Sequence, residues 1–222
     1  MSGLLTVGLS WLALAALLFS DATPAAGPVL RLTATTANVT GAPDSIRIDI
    51  LRWSTDAERE KLMSAWNLKG RTGGPGGVVG RGGRGVPQAD ASPPTPEGAL
   101  ASALKTTATV GYLWSSEVAG YALRYAGRVT GADGPERIVL ITHRRLGEVN
   151  DLWKPTGTGA PAPYDFSVIE IRVNAKGEGE GKASLTGKVA PDSAVKMIAL
   201  ENYDALPVAF SDVKVRAAGS HL

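Results

Sequence analysis

The chain has 222 residues, 44% of them hydrophobic and 20% charged, with 27 Gly and 14 Pro. Its 23 basic and 21 acidic residues leave a net charge of +2, which argues against a nucleic-acid binder that works by bulk electrostatics. Zero Cys excludes disulfides, thiol catalysis, cysteine zinc sites, iron–sulfur clusters and cysteine lipidation, and two His leave little room for histidine metal chemistry.

Gly3 to Phe19 is almost wholly apolar. At about 17 residues it sits at the lower edge of a membrane span. Small residues and Pro24 follow, giving cleavage positions after Ala22 or Ala25. The segment reads as a signal peptide over residues 1–25, although Met1-Ser2-Gly3 carries no Lys or Arg. An uncleaved N-terminal anchor is the alternative, and only then is a membrane a partner. Residues 26–222 then form a single β-rich domain held by its core alone. Export without disulfides fits a bacterial periplasm, cell surface or medium, so the sequon Asn38-Val39-Thr40 reads as chance.

Val29 to Val39 is rich in β-branched residues and reads as a strand, with a turn at Gly41–Asp44. Ser45 to Trp53 alternates, with Ile46, Ile48 and Ile50 on one side, and completes a hairpin. Thr55-Asp56-Ala57-Glu58 is a capping box opening a helix over 55–67. From Gly70 to Gln88, nine of nineteen residues are Gly. Such a segment buries too little apolar surface to offset its ordering entropy, so 70–94 reads as a disordered Gly/Pro-rich loop. Thr95 and Pro96 then cap and open a second helix, ending near Thr106.

The remainder reads as a β-meander. Strands are expected over 109–115, 121–130, 137–145, 165–174, 182–189, 194–200 and 208–215, with Lys176–Gly181 as a turn. Period-2 segments joined by short turns pair antiparallel with one face buried. The expected fold class is α+β, mainly antiparallel β: about nine strands as a barrel or two-layer sandwich, with two helices inserted after the first hairpin.

Three segments, Arg52-Trp53-Ser54-Thr55-Asp56, Gly134 to Leu140 and Tyr164 to Arg172, resemble uncharacterised exported bacterial proteins. The resemblance covers most of the mature chain outside the Gly-rich segment. It implies export and transfers no site.

Chemical motifs are few. Gly80 to Gly85 matches G-x-G-x-x-G, but more Gly precedes it and Pro87 follows, where a dinucleotide site needs a strand and then a helix. Three Arg across Gly70 to Gln88 do not make a nucleic-acid segment in an exported chain. Gly181-Lys182-Ala183 lacks the Ser/Thr of a phosphate loop. Glu178 and Glu180 are too few carboxylates for a Ca²⁺ cage. No cofactor and no metal are implied.

Tyr112, Trp114, Tyr121 and Tyr125 cluster in two adjacent strands, with Tyr121, Leu123 and Tyr125 expected on one face. They form the candidate ligand site, for a small apolar or sugar ligand. The alternative is a hydrolase-like site using His143, Glu170 and Glu201, with Asp204 nearby. Against it, no Gly-x-Ser-x-Gly marks a nucleophile, His143 reads as a strand-end histidine and His221 lies in the tail. The expectation is an exported non-catalytic binding protein, or an envelope or assembly subunit whose partner is another envelope or extracellular protein.

Overall fold

The computed structural model describes residues 27–68, 95–116, 120–130, 135–148, 153–157 and 159–217. The apolar N-terminal segment, the Gly/Pro-rich segment at 70–94 and His221 lie outside the described residues. In chain order the elements are β1 (Leu30–Thr36), β2 (Val39–Thr40), β3 (Ser45–Ile50), α1 (Asp56–Trp66), α2 (Pro96–Lys105), β4 (Gly111–Trp114), β5 (Gly120–Val129) and β6 (Glu136–Thr142). There follow β7 (Lys154–Pro155), β8 (Val168–Val173), β9 (Glu178–Ala183), β10 (Val189–Asp192), β11 (Met197–Leu200), a 3₁₀ turn (Tyr203–Ala205) and β12 (Phe210–Ala217).

Eight strands close into an antiparallel barrel in the order β1-β12-β9-β8-β6-β5-β4-β3. Each barrel strand pairs with the next barrel strand in the chain, and β12 closes onto β1, so the barrel is an up-and-down meander. Closure removes the open edges that an eight-stranded sheet would otherwise expose. Both helices lie between β3 and β4, as their caps predict.

Alternation decides what fills the barrel. Leu32, Ile46, Ile48, Ile50, Leu113, Leu123, Ile138, Leu140, Ile169, Ile171 and Phe210 point inward and are buried. Side chains therefore pack the barrel axis, as an eight-stranded circumference allows. A second core lies outside the wall. There Leu62, Leu100, Leu104, Met197 and Ile198 pack with Tyr125, Val139, Ile141 and Val168. Each such fully buried aliphatic side chain stabilises the fold by about 1.5–3 kcal/mol. One flank of the barrel is thus covered by α1, α2 and the two-stranded ribbon β10–β11.

Three expectations need correction. The barrel has eight strands rather than about nine. The expected ninth, 194–200, contributes β11, which pairs with β10 in the outer ribbon. The strand expected over 182–189 starts earlier, at Glu178, inside the segment read as a turn. Gly179 and Gly181 suggested a turn, but they sit in the wall because it is crowded. A Cβ at Gly179 would collide with the Arg172 carbonyl, and one at Gly181 would lie 3.0 Å from Ile171 and 3.1 Å from Phe210. Lastly, Tyr125 is not on the face of Tyr121 and Leu123. The register of β5 against β6 slips between Leu123, opposite Thr142, and Tyr125, opposite Ile141, making Arg124 an extra residue. A bulge of one residue reverses the alternation. Tyr121 and Leu123 stay in the barrel core, while Tyr125 joins the outer core.

Candidate functional site

A lateral cleft of about 520 Å³ opens on the covered flank. Its floor is the outer surface of β5 and β6, through Tyr125, Gly127, Val129, Arg137 and Val139. One wall is the entry to α1, with Trp53, Ser54, Asp56 and Arg59; the other is the β10–β11 turn, with Ala194, Val195 and Lys196.

Local hydrogen bonds hold each wall. The Ser54 N–H donates to the Ala126 carbonyl at 2.8 Å, and the Ala126 N–H donates to Ser54 Oγ at 3.0 Å. These pin the β3–α1 connection to the barrel. The capping box forms: the Glu58 N–H donates to Thr55 Oγ1 at 3.2 Å, and the Thr55 N–H donates to Glu58 Oε2 at 2.9 Å. Arg52 grips the same carboxylate through both terminal nitrogens, at 2.8 and 2.7 Å. The hydrogen bonds from Arg52 and the Thr55 backbone hold the Glu58 carboxyl at about 2, against an ordinary 4.5.

The opposite wall hangs on Arg137. Its guanidinium donates to Glu170 Oε1 at 3.0 Å and to Asp192 Oδ2 at 2.9 Å. Asp192 Oδ1 accepts from the Ala194 N–H at 2.8 Å, which shapes the ribbon turn. Arg172 Nε donates to the same Glu170 oxygen at 3.1 Å, and its guanidinium lies 3.7 Å from the Tyr203 ring centroid. Glu170 is 0% exposed, and its Oε2 has no hydrogen-bond partner among the described residues. One buried carboxylate therefore ties β6, β8 and, through Arg137, the ribbon.

Inside the cleft, Tyr125 is 4% exposed, and its hydroxyl lies where a Cβ on Gly127 would stand. Only glycine at 127 leaves room for the phenol to lie across β5. No hydrogen-bond partner for this hydroxyl is present among the described residues. Burial pushes the phenol up from its ordinary value, so it is a neutral donor at pH 7. Arg128 stacks on Trp53, 5.0 Å from the ring centroid. Lys196, at φ 51°, is exposed on the rim.

The predicted aromatic cluster divides three ways. Tyr112 and Trp114 remain together on the outside of β4, 5.2 Å apart, and Trp114 Nε1 donates to Asp49 at 3.0 Å. Tyr121 lies in the barrel core, its hydroxyl accepting from the Gly147 N–H at 3.1 Å. Tyr125 alone lines the cleft. Among the alternative residues, half-buried His143 has Nδ1 3.2 Å from the Ala122 carbonyl, and burial lowers its pKa below the ordinary value. Glu170 is buried among arginines, and Glu201 is exposed beyond β11. No hydrogen bond or ion pair joins any two of these three among the described residues. Asp204 meets the group only through Arg172, at 3.2 Å.

Trp53, Arg59, Arg128, Arg137 and Lys196 carry no sequence signal of a site. They come from separate segments with no shared motif, and only closure of the barrel and its outer cover brings them together. Among the described residues there is no group of three His, Cys, Asp or Glu placed to hold a metal, and no helix is long and apolar enough to cross a membrane. Comparison of the chain with protein families, curated proteins and solved structures returns no match.

Proposed function

We propose that this is an exported, non-catalytic binding protein that holds a small ligand in the lateral cleft. One observation carries the reading. A nearly buried phenol presents an unpartnered hydroxyl inside an aromatic-walled cleft of about 520 Å³, within the range of small-molecule sites. The hydroxyl is not among the buried atoms left without a partner, so it opens to the water of the cleft, where a ligand atom can take the place of that water. The side-chain-filled barrel axis directs attention to the flank. Export rests on the apolar segment Gly3–Phe19, the small residues after it and the resemblance of the quoted segments to exported bacterial proteins.

A thermal-shift screen of small molecules tests the binding reading. Wild type is compared with Ala194→Trp, which fills the cleft mouth from an exposed position. Compounds that raise the melting temperature of wild type and not of the variant support it. Equal stabilisation of both, or none across the screen, refutes it. N-terminal sequencing of exported protein is expected to begin after Ala22 or Ala25; a chain beginning at Met1 refutes cleavage.

A further inference from the structure

The cleft carries a charge pattern that narrows its ligand. Its lining contains Arg59, Arg128, Arg137 and Lys196 against a single acid, Asp56. Not all four cations are available. Arg59 is 2.7 Å from Asp56, and Arg137 is held by Glu170 and Asp192. Arg128 faces Glu136 only at 3.7 Å, with 54% of its side chain exposed. Lys196 has no ion-pair partner among the described residues. That leaves two cations, Arg128 stacked on Trp53 of one wall and Lys196 on the turn that forms the other. Two cations, of which one is partly compensated, match one acidic group better than a polyanion. Apart from Ser54, the rest of the lining is small, apolar or aromatic, with Trp53, Tyr125, Val129, Val139 and Val195 as its larger members.

We propose that the cleft selects a soluble organic anion with one acidic headgroup, carboxylate or phosphate, on an aromatic or apolar body. The proposal rests on the reading of the cleft as a ligand site. Arg128 and Lys196 meet the headgroup from the rim. The Tyr125 hydroxyl donates to the ligand from the floor, and the body lies against Trp53, Val139 and Val195. Stacking on Trp53 holds the Arg128 guanidinium in place, which reduces the side-chain entropy lost on binding. Since the chain as a whole is nearly neutral, the attraction is local to the cleft.

Calorimetry with four probes tests this: 1-naphthyl phosphate, 1-naphthoate, neutral 1-naphthol and inorganic phosphate. At least one naphthyl anion is expected to bind, with 1-naphthol and inorganic phosphate about tenfold or more weaker, because each lacks one half of the recognition. Arg128→Gln and Lys196→Gly should each weaken the anion about five- to tenfold and leave 1-naphthol unchanged. Lys196→Gly also relieves a left-handed backbone at φ 51°, so its melting temperature should hold or rise, which separates lost binding from lost folding. If 1-naphthol binds as tightly as the anions, selection by charge is overturned while the cleft remains a ligand site. Anion binding that survives both substitutions lies elsewhere and overturns the proposal. Binding only to phosphatidylglycerol vesicles, and not to soluble probes, also overturns it. Failure of all four probes overturns both this proposal and the cleft reading.

Discussion

Glu170→Gln tests the assembly of the covered flank most directly. The substitution keeps the side-chain volume and an acceptor at Oε1, so what is lost is charge. Two hydrogen bonds at that oxygen, from Arg137 at 3.0 Å and Arg172 at 3.1 Å, become bonds from cations to a neutral amide. Each bond keeps its charged donor and loses only the charge of its acceptor, a fall of about 1 kcal/mol within the range of about 1.5–3 kcal/mol for charge-assisted bonds. The new amide N–H at the partnerless Oε2 position adds a buried donor without an acceptor, at about 1 kcal/mol. Breaking a buried pair outright costs about 3–5 kcal/mol. The cost here is smaller because neither arginine is stranded. Arg137 keeps Asp192 at 2.9 Å and Arg172 keeps Asp204 at 3.2 Å, with 20% and 28% of their side chains in solvent. The expected loss is about 2–3 kcal/mol, or about 4–12 °C in melting temperature for a domain of this size. Urea unfolding should show the midpoint fall with an unchanged slope. A loss under about 1 kcal/mol, or a gain, would show that desolvating Glu170 already cancels its ion pairs, and the tie between wall and ribbon would lose its energetic basis. Combining Glu170→Gln with Arg172→Met should give less than the sum of the two, since they share one contact.

Other outcomes follow from single contacts. Gly179→Ala places a methyl group on the Arg172 carbonyl and should cost about 3 kcal/mol in urea unfolding, because backbone in a closed barrel yields little; a cost below about 1 kcal/mol would refute the crowding. Gly127→Ala should displace Tyr125, altering near-ultraviolet circular dichroism and reducing stability by about 1–2 kcal/mol. An unchanged spectrum would show that the phenol does not depend on glycine there. The Glu58 carboxyl is held at about 2 in the folded chain against an ordinary 4.5. A depressed carboxyl stabilises above its unfolded value and loses that contribution as pH falls through 4.5 towards 2. Arg52 and Glu58 are 41% and 20% exposed, so solvent screening limits the contribution to about 1 kcal/mol. Glu58→Gln should therefore cost about that much at pH 7 and less near pH 2, read as a flatter stability profile on acidification.

Residues that act on near neighbours are legible in the sequence alone. Thr55 with Glu58, and Thr95 with Pro96, mark helix starts because a cap is built from four consecutive residues, and both helices begin there. Ile46, Ile48 and Ile50, and Ile169, Ile171 and Val173, show by alternation which side of a strand is buried. Alternation leaves barrel or sandwich open, since both bury one face of each strand; the pairing of β12 with β1 decides it. Gly179 misleads because a turn and a crowded wall demand the same residue, and only the neighbour at Arg172 tells them apart. Tyr125 misleads because one extra residue at Arg124 turns every later side chain over, and no local pattern announces a bulge. Charge pairing is equally hidden: alternation sets Glu170 on the strand face opposite Ile169 and Ile171, but its burial beneath the ribbon depends on residues more than twenty positions away.

The sequence by itself determined the secondary-structure grammar, the absence of thiol chemistry and the signal-like character of its first segment, because these depend on composition and on neighbours along the chain. Only the tertiary structure decided that the strands close as a ring of eight, that the expected ninth leaves to form an outer ribbon, and that Tyr125 shares a cleft with Trp53, Arg128 and Lys196. The physical reason is range: caps and alternation are set within a few residues, whereas closure, burial of charge and the walls of a cleft are set by segments that meet only when the barrel forms.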